Sequence, residues 1–542
     1  MAQRCWWQDA VVYQIYPRSF ADGDGDGIGD LAGLVRRLDY LRPPGEPWPD
    51  TPTLGVDAIW LTPFYPSPLA DFGYDVADYT DVDPTFGTLE DFKALIEEAH
   101  RRSLRVIIDW VPSHTSTEHP WFREASSSRD NPKRDWYVWR DGKADGAPPN
   151  NWMSAFAKVG PAWTFHEPTR QWYLHSYRPE QADLNWENPE VERTMHDVLR
   201  FWLDLGVDGF RVDAIHRLGK DPALRDNPEI IVVPTPGTAG RRYDEDRPNV
   251  HGRVRAIRKV IDEYPDRMLV GETYVLDQRR LGAYLNPGEG VHLAHNFVFV
   301  HQPWSAAAIR GVVDGFEALI APGVWPAWFF SNHDHPRLAT RYDEGGQGAA
   351  RARVAALLLL TLRGTPFLYQ GEELGLPDTT VPPDAIVDVD GRDPARTPLP
   401  WEPPSSVGPG AGFTTGNPWL PMTDQAETIN VHSQASDPRS MLSLYRRLLR
   451  LRLTMPALRS GDYRSLDTGE TVYTYLRATD DQRFLVALNF TSAPVQVDAA
   501  ASVEGRSARL ELSTDPDREA GAELHLSALA LGPDEGLLIR LS

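Results

Sequence analysis

The chain has 542 residues, 41% hydrophobic and 24% charged, enough material for a large globular core in several domains or one enlarged barrel. Its formal charge of −22 argues against nucleic acid or an anionic membrane as partner, since both need basic surface. The only cysteine, Cys5, excludes an intramolecular disulfide and any multi-cysteine metal site. The start MAQRCWWQDA lacks the apolar run of a secretory signal, and no stretch approaches the ~20 apolar residues of a membrane span. A cytoplasmic location is therefore expected.

Short apolar runs that end in polar residues and precede helical patterns predict strands. In chain order they are Val11–Tyr16, Ala58–Thr62, Val106–Asp109, Gly209–Asp213, Met268–Glu272, Asn296–Val300, Trp328–Asn332 and Pro366–Gln370. Eight such runs at helix-length spacing fit a (β/α)8 TIM barrel, and their continuous apolar character suits parallel strands buried on both faces. A doubly wound sheet gives similar runs, so periodicity leaves both architectures open. The first gap carries the Pro-rich stretch Leu41–Thr53, read as a surface loop.

After the third run, Pro112–Arg178 is polar, rich in Trp, Asn, Asp and Pro, and too long for a βα loop, so it reads as an inserted domain. A second irregular stretch, Leu376–Thr428, follows the eighth run, where long barrel loops usually serve the site. The pattern Met441–Leu453 predicts a closing helix. Beyond Gly461, the alternating runs Thr471–Leu476, Phe484–Asn489 and Gly536–Leu541 predict an antiparallel β domain. The expected division is a barrel over 1–111 and 179–463, an inserted subdomain over 112–178 and a C-terminal β domain over 464–542.

Acidic residues recur at or just beyond the strand ends: Asp109, Asp213, Glu272 and Asp334. At the C-terminal face of a barrel such residues converge on one mouth, where several buried carboxylates repel each other unless used or neutralised. Separately, Asp22-Gly-Asp24-Gly-Asp26-Gly-Ile28-Gly-Asp30 presents alternating carboxylates and sharp glycines like the opening of an EF-hand loop. Gly33 stands where an EF-hand supplies its bidentate Glu, so a true EF-hand is not expected.

These segments resemble glycoside hydrolase family 13, the α-amylase family. Asp109-Trp-Val-Pro-Ser113-His114, Gly209-Phe-Arg211-Val-Asp213-Ala214, Gly271-Glu272-Thr273 and Phe330-Ser-Asn332-His333-Asp334 are similar to its four main motifs. GVDAIWLTP (55–63), QADLN (181–185) and GTPFLYQGEE (364–373) are further matches, in the family's order. The resemblance implies double displacement on α-glucosides, with Asp213 as nucleophile, Glu272 as general acid/base and Asp334 as the carboxylate gripping the sugar. Carboxyl groups used in this way stand roughly 5–5.5 Å apart. It also implies that Arg211 holds Asp213 ionised, and that His114 and His333 bind the same sugar.

Asp71-Phe-Gly-Tyr74-Asp75 resembles the α-glucosidase and oligo-1,6-glucosidase branch. There Tyr74 is expected under the terminal glucose, and Asp71 is expected to bind the non-reducing end with Arg396 of the long loop. Such a pair would close the pocket floor and enforce exo-action. Ala214, directly after the nucleophile, points towards α-1,4 links of the maltose type, where Val accompanies α-1,6 preference. Relatives also imply a structural Ca2+ or Mg2+ held by Asp22, Asp24, Asp26, the Ile28 carbonyl and Asp30. No organic cofactor is expected. Ser113 stands where many α-amylases have a calcium-binding Asn, and a hydroxyl is the poorer ligand. The expected partner is a small oligosaccharide or glucoside, bound by a monomer or homodimer. Transglucosylation, glucoside isomerisation and a non-catalytic, transporter-associated relative are the competing readings, the last disfavoured because all three acids are kept.

Overall fold

The computed structural model describes residues 4–45, 53–228, 242–388, 390–503 and 507–542, so positions 46–52 of the Pro-rich stretch lie outside the described residues. The strands are β1 (Val12–Ile15), β2 (Ala58–Leu61), β3 (Arg105–Trp110), β4 (Gly209–Val212), β5 (Met268–Gly271), β6 (Leu293–Ala294), β7 (Ala327–Phe329) and β8 (Thr365–Tyr369). They pair in parallel in the order β6-β5-β4-β3-β2-β1-β8-β7. A parallel bridge between His295 and Ala327 joins the two ends and closes the ring. The barrel reading, rather than the doubly wound sheet, is the one the chain adopts.

Each strand is followed by a helix: α1 (Leu31–Leu41), α2 (Leu89–Arg101), α3 (Pro189–Asp204), α4 (Val250–Ile261), α5 (Gln278–Ala283), α6 (Ala306–Leu319), α7 (Gly348–Thr361) and α8 (Met441–Thr454). Their starts carry local signals. Asp30 caps α1 by accepting from the Gly33 amide, Thr88 and Asp91 form a capping box on α2, and Asn188-Pro189 opens α3.

The period-two alternation of the strands divides the core in two. Ile59, Leu61, Ile108, Phe210 and Val212 face the helices, while Trp60, Ile107, Met268, Val270, Phe329 and Phe367 fill the barrel interior. Helix α7 is buried on nearly every side because it packs between α8 and the C-terminal sheet.

Two strand expectations change. The run Asn296–Val300 is not the sixth strand: Leu293–Ala294 pairs with β5, and Phe297–Val300 forms a helical turn capped by the Asn296 side chain on the Phe299 amide. A four-residue apolar run has no periodicity to tell strand from buried turn, and the Asn cap decides it. The seventh strand ends at Phe329, so Phe330–Asn332 leads out as the loop that carries Asp334.

Within the polar insertion, Trp139–Arg140, Gln171–Leu174 and Trp163–His166 form a small antiparallel sheet. At its base His114–Ser116 pairs antiparallel with Gln181–Asp183, which draws the two ends of the insertion together over the barrel mouth. At the other end of the chain, a five-stranded antiparallel sheet orders Asp462–Leu466, Val472–Ala478, Arg483–Asn489, Gly536–Leu541 and Ala508–Ser513. Tyr473, Tyr475, Phe484 and Phe490 are all buried, in the apolar layer between this sheet and the barrel helices, rather than forming a sugar-binding face. Among the described residues no helix is long and apolar enough to cross a membrane.

Beyond β8, Gly371 takes φ 86° and turns the chain so that two acids enter the core. Glu373 accepts hydrogen bonds from the Tyr13 and Tyr40 hydroxyls and the Gly371 amide. Glu372 accepts from the Tyr445 hydroxyl at 2.9 Å, and its second oxygen has no hydrogen-bond partner among the described residues. Burial pushes the Glu372 carboxyl up from 4.5 to about 7. The folded state thus holds one more proton than the unfolded state between those values, and stability falls as pH rises through that window. Glu372→Gln keeps an acceptor for Tyr445 and cannot ionise. It is expected to flatten that fall and to stabilise the protein at pH 8 by up to about 3 kcal/mol, read from thermal melts at pH 5 and pH 8. Identical pH dependence in variant and parent would contradict the assignment.

Candidate active site

The register of β3, β4 and β5 assembles the first half of the site. Arg211 pairs with Asp109 across β3 and with Val270 across β5, and alternation puts Asp213 and Glu272, each two residues further on, at the same mouth. One guanidinium therefore meets three acids. Arg211 Nη1 lies 2.7 Å from Asp109 Oδ1 and 2.7 Å from Asp213 Oδ1, and Nη2 lies 3.1 Å from Glu272 Oε1. Arg211 is 1% exposed and packs beside the rings of Trp60 and Tyr74.

Burial raises the Asp109 carboxyl to about 6 even against Arg211, and Asp109 also accepts from the Tyr74 hydroxyl at 3.0 Å and the Trp60 indole at 3.3 Å. Burial and then the Glu272 charge push Asp213 well above the usual carboxylate range, with Arg211 opposing. Directly after Asp213, Ala214 sits in the left-handed region at φ 43° and ψ 41°, and its amide donates to Glu272 Oε2 at 2.8 Å. That local strain fixes Glu272 against the strand that carries Asp213.

The second half comes from the loops after β7 and β8. Asp334 Oδ1 accepts from Arg396 at 3.0 Å and Arg392 at 3.2 Å, and Oδ2 faces His333 Nε2 at 3.1 Å. Burial alone would raise Asp334; the facing cations hold it far below the ordinary range instead. Burial also keeps the His333 ring neutral, so the charge that ionises Asp334 comes from the arginines. With Gln14 Nε2 2.7 Å from Nδ1, the proton on His333 is placed on Nε2, towards Asp334 and the Tyr74 hydroxyl.

Asp71 completes the floor, but with a different partner from the one expected. Arg392 Nη2 lies 2.6 Å from Asp71 Oδ1 and is held from behind by Asp388, whereas Arg396 binds Asp334 and the His333 carbonyl. The two arginines stand four residues apart around the short helix Asp393–Arg396, and only the one on the pocket side reaches Asp71. Gln181, from the second strand of the insertion base, donates to Asp71 Oδ2 at 3.0 Å. Tyr74 and His114 line the same cavity; His114 is oriented by the Ser113 hydroxyl at 2.7 Å and the Tyr74 carbonyl at 3.0 Å. Ser113 is thus committed to His114.

These groups surround a cavity of about 410 Å3, a size suited to a small ligand. Of the expected residues, Asp213, Glu272, Asp334, Asp71, Tyr74 and His114 line it, while Arg211, His333 and Arg396 stand behind the lining and orient it. Sequence reasoning missed Arg392, Phe156, Tyr177 and Tyr274, which also line the cavity. Arg392 was legible as the other arginine of GRDPAR; the aromatics carried no signal apart from their neighbours.

The acidic loop lies outside this cavity. Asp22, Asp24 and Asp30 each bring a carboxylate oxygen within 4.8 Å of the others, while Asp26 turns its carboxylate to the Ile28 amide at 2.7 Å and leaves that group. Asp22 accepts from the Asp24, Gly25 and Gly27 amides, and Asp30 from those of Gly23 and Gly33.

Residues 14–461 match the α-amylase catalytic domain. A probable alpha-glucosidase of Rhizobium meliloti (strain 1021) is 42% identical over 534 residues, covering 94% of this chain and 92% of the relative. An oligo-1,6-glucosidase of Parageobacillus thermoglucosidasius is 37% identical over 535 residues, covering 90% and 91%. The crystal structure of an alpha-glucosyl transfer enzyme superposes with a TM-score of 0.90 at 40% identity, with all of both chains covered. A closed parallel barrel, an acidic mouth and likeness along nearly the whole chain place this protein in the α-amylase family, glycoside hydrolase family 13, as a glycosidase of the α-glucosidase branch.

Proposed function

We propose that this glycosidase is a retaining, exo-acting α-glucosidase that releases glucose from the non-reducing end of short α-glucosides, with preference for α-1,4 links. The observation that carries the reading is the Asp71–Arg392 ion pair, which closes the floor of the cavity lined by Asp213, Glu272 and Asp334. A chain with sugar units beyond the terminal glucose has no room to pass such a floor, so cleavage starts at the chain end.

In the first step the Asp213 carboxylate attacks the anomeric carbon. The glycosidic C–O bond breaks towards the leaving oxygen, which takes the proton carried by Glu272, and a β-glucosyl ester forms. In the second step the Glu272 carboxylate removes a proton from water. The water oxygen attacks the same carbon, and Asp213 leaves as carboxylate. Arg211 stands 2.7 Å from Asp213 and 3.1 Å from Glu272, and the closer contact supports Asp213 as the member of the pair that attacks ionised, with Glu272 carrying the proton. Asp334, held ionised by Arg392 and Arg396, accepts hydrogen bonds from the 2- and 3-hydroxyls. The α-1,4 preference rests on Ala214 as the residue after the nucleophile, which is buried behind the cavity lining.

A second reading, transfer of the glucosyl group to an alcohol, uses the same intermediate and is favoured by the likeness to the transfer enzyme over the whole of both chains. We also propose a structural Ca2+ or Mg2+ in the acidic loop. Asp22, Asp24 and Asp30 would hold it, with Asp26 and the Ile28 carbonyl as further hard oxygens, and the ion would neutralise their mutual repulsion without entering the chemistry.

Proton NMR of 4-nitrophenyl α-glucoside hydrolysis, with product analysis on maltose, isomaltose and starch, tests the proposal. The α-anomer of glucose is expected first, with maltose turned over faster than isomaltose and long oligosaccharides absent from starch digests. β-Glucose appearing first would overturn retention, faster isomaltose would overturn the linkage preference, and glucosides outweighing free glucose would favour transfer.

Arg211 is tested separately. Arg211→Lys keeps one charge but loses the fork that spans three carboxylates, so kcat/KM is expected to fall at least about 100-fold, with the pH–rate profile displaced, while the protein stays folded. An unchanged profile would contradict the orienting role.

A further inference from the structure

The turn that carries Asp71 has an uncommon backbone. Leu69, Phe72 and Gly73 all take positive φ, at 64°, 48° and 105°. Glycine adopts such angles freely; leucine and phenylalanine do so only where the surroundings hold them there.

Two devices hold this turn. On one side the Asp75 carboxylate accepts from the Ala70 and Asp71 amides, each at 2.9 Å. On the other side the Phe72 ring is enclosed by the Arg18 and Arg396 guanidinium carbons, both 5.8 Å away, and by the Trp419 ring at 5.8 Å. Arg18 is 7% exposed, and its Nε and Nη1 have no hydrogen-bond partner among the described residues. Its guanidinium lies 4.8 Å from the Trp419 ring, so aromatic faces compensate part of its burial.

Trp419 is itself anchored. Its indole N–H donates to the Ser19 hydroxyl at 3.1 Å, and its backbone N–H donates to the Gly27 carbonyl at 3.0 Å. Gly27 has φ 97°, and a Cβ there would stand 1.8 Å from the Asn417 carbonyl oxygen, so the acidic loop and the Trp419 segment meet with no space for a side chain. The Thr414 hydroxyl donates to Asp22, and the Asp22 amide to the Phe413 carbonyl, which fastens the same segment further back.

Phe72 thus joins the two groups that grip the sugar. Its chain neighbour Asp71 holds Arg392, and its ring packs on Arg396, which holds Asp334. We propose that Phe72 and Trp419 are positioning residues for the glucose-binding floor: Trp419, tied to the acidic loop, backs the Phe72 ring, and Phe72 holds the strained turn so that Asp71 meets Arg392. The inference rests on the reading of Asp71–Arg392 as that floor.

The test compares Phe72→Leu, Trp419→Leu and Trp419→Phe with Asp71→Asn, measuring KM and kcat on maltose, inhibition by the glucose mimic 1-deoxynojirimycin, and thermal stability. Both leucine variants are expected to raise KM and the inhibition constant at least about tenfold with kcat within about threefold, and Trp419→Phe to stay within about threefold of the parent throughout. Phe72 is only half-buried, so Phe72→Leu decides the matter even where Trp419→Leu does not fold. Leucine variants with unchanged KM and inhibition, or a Trp419→Phe as impaired as Trp419→Leu, would overturn the proposal. An Asp71→Asn that leaves both constants unchanged would instead overturn the reading of the floor.

Discussion

One guanidinium holds the centre of this molecule together. Arg211 is enclosed at the mouth of the barrel with Asp109, Asp213 and Glu272 around it. Three carboxylates at such distances in a low-dielectric site repel strongly, and without the cation they would stay neutral or push the strands apart. Removing one partner of a buried ion pair typically costs about 3–5 kcal/mol, because the other charges remain buried. The barrel makes the arrangement possible: parallel register sets Arg211 beside Asp109, and alternation carries Asp213 and Glu272 to the same opening.

Around that centre, environment gives similar acids different tasks. Asp334 lies among Arg392 and Arg396 and stays ionised, which suits a group that only accepts hydrogen bonds. Asp213 shares its one arginine with two further acids and is raised by burial and then by the Glu272 charge. Asp71 is drawn to Arg392 and marks the end of the cavity. Under the proposed mechanism, four acids of nearly identical chemistry serve as nucleophile, proton carrier, sugar clamp and floor, set apart by the cations that stand beside them.

Much of this was legible in the sequence, and the exceptions have physical reasons. The strands, their terminal acids and the antiparallel C-terminal sheet follow from apolar runs and alternation, whereas the choice of barrel over doubly wound sheet rested on the family resemblance, because local pattern left both open. The Asn296–Val300 run misled because four apolar residues fit a strand or a buried turn equally well, and the turn was settled by a side-chain cap. Arg396 was expected where Arg392 stands because both belong to one helical turn, and which of them faces Asp71 depends on how the long loop lies on the barrel. The strain at Phe72 left no trace in the pattern at all, since a phenylalanine in a turn does not reveal its φ.

The central claim is that Asp213 becomes covalently glucosylated while Glu272 manages the proton. Glu272→Gln incubated with α-glucosyl fluoride tests it most directly, because fluoride leaves without acid assistance while the second step lacks its base. Rapid quenching, peptic digestion and mass spectrometry should show one anhydroglucose unit on the peptide containing Asp213, fragmenting to that side chain. An adduct on another carboxylate, or continued turnover with no adduct, would contradict the mechanism.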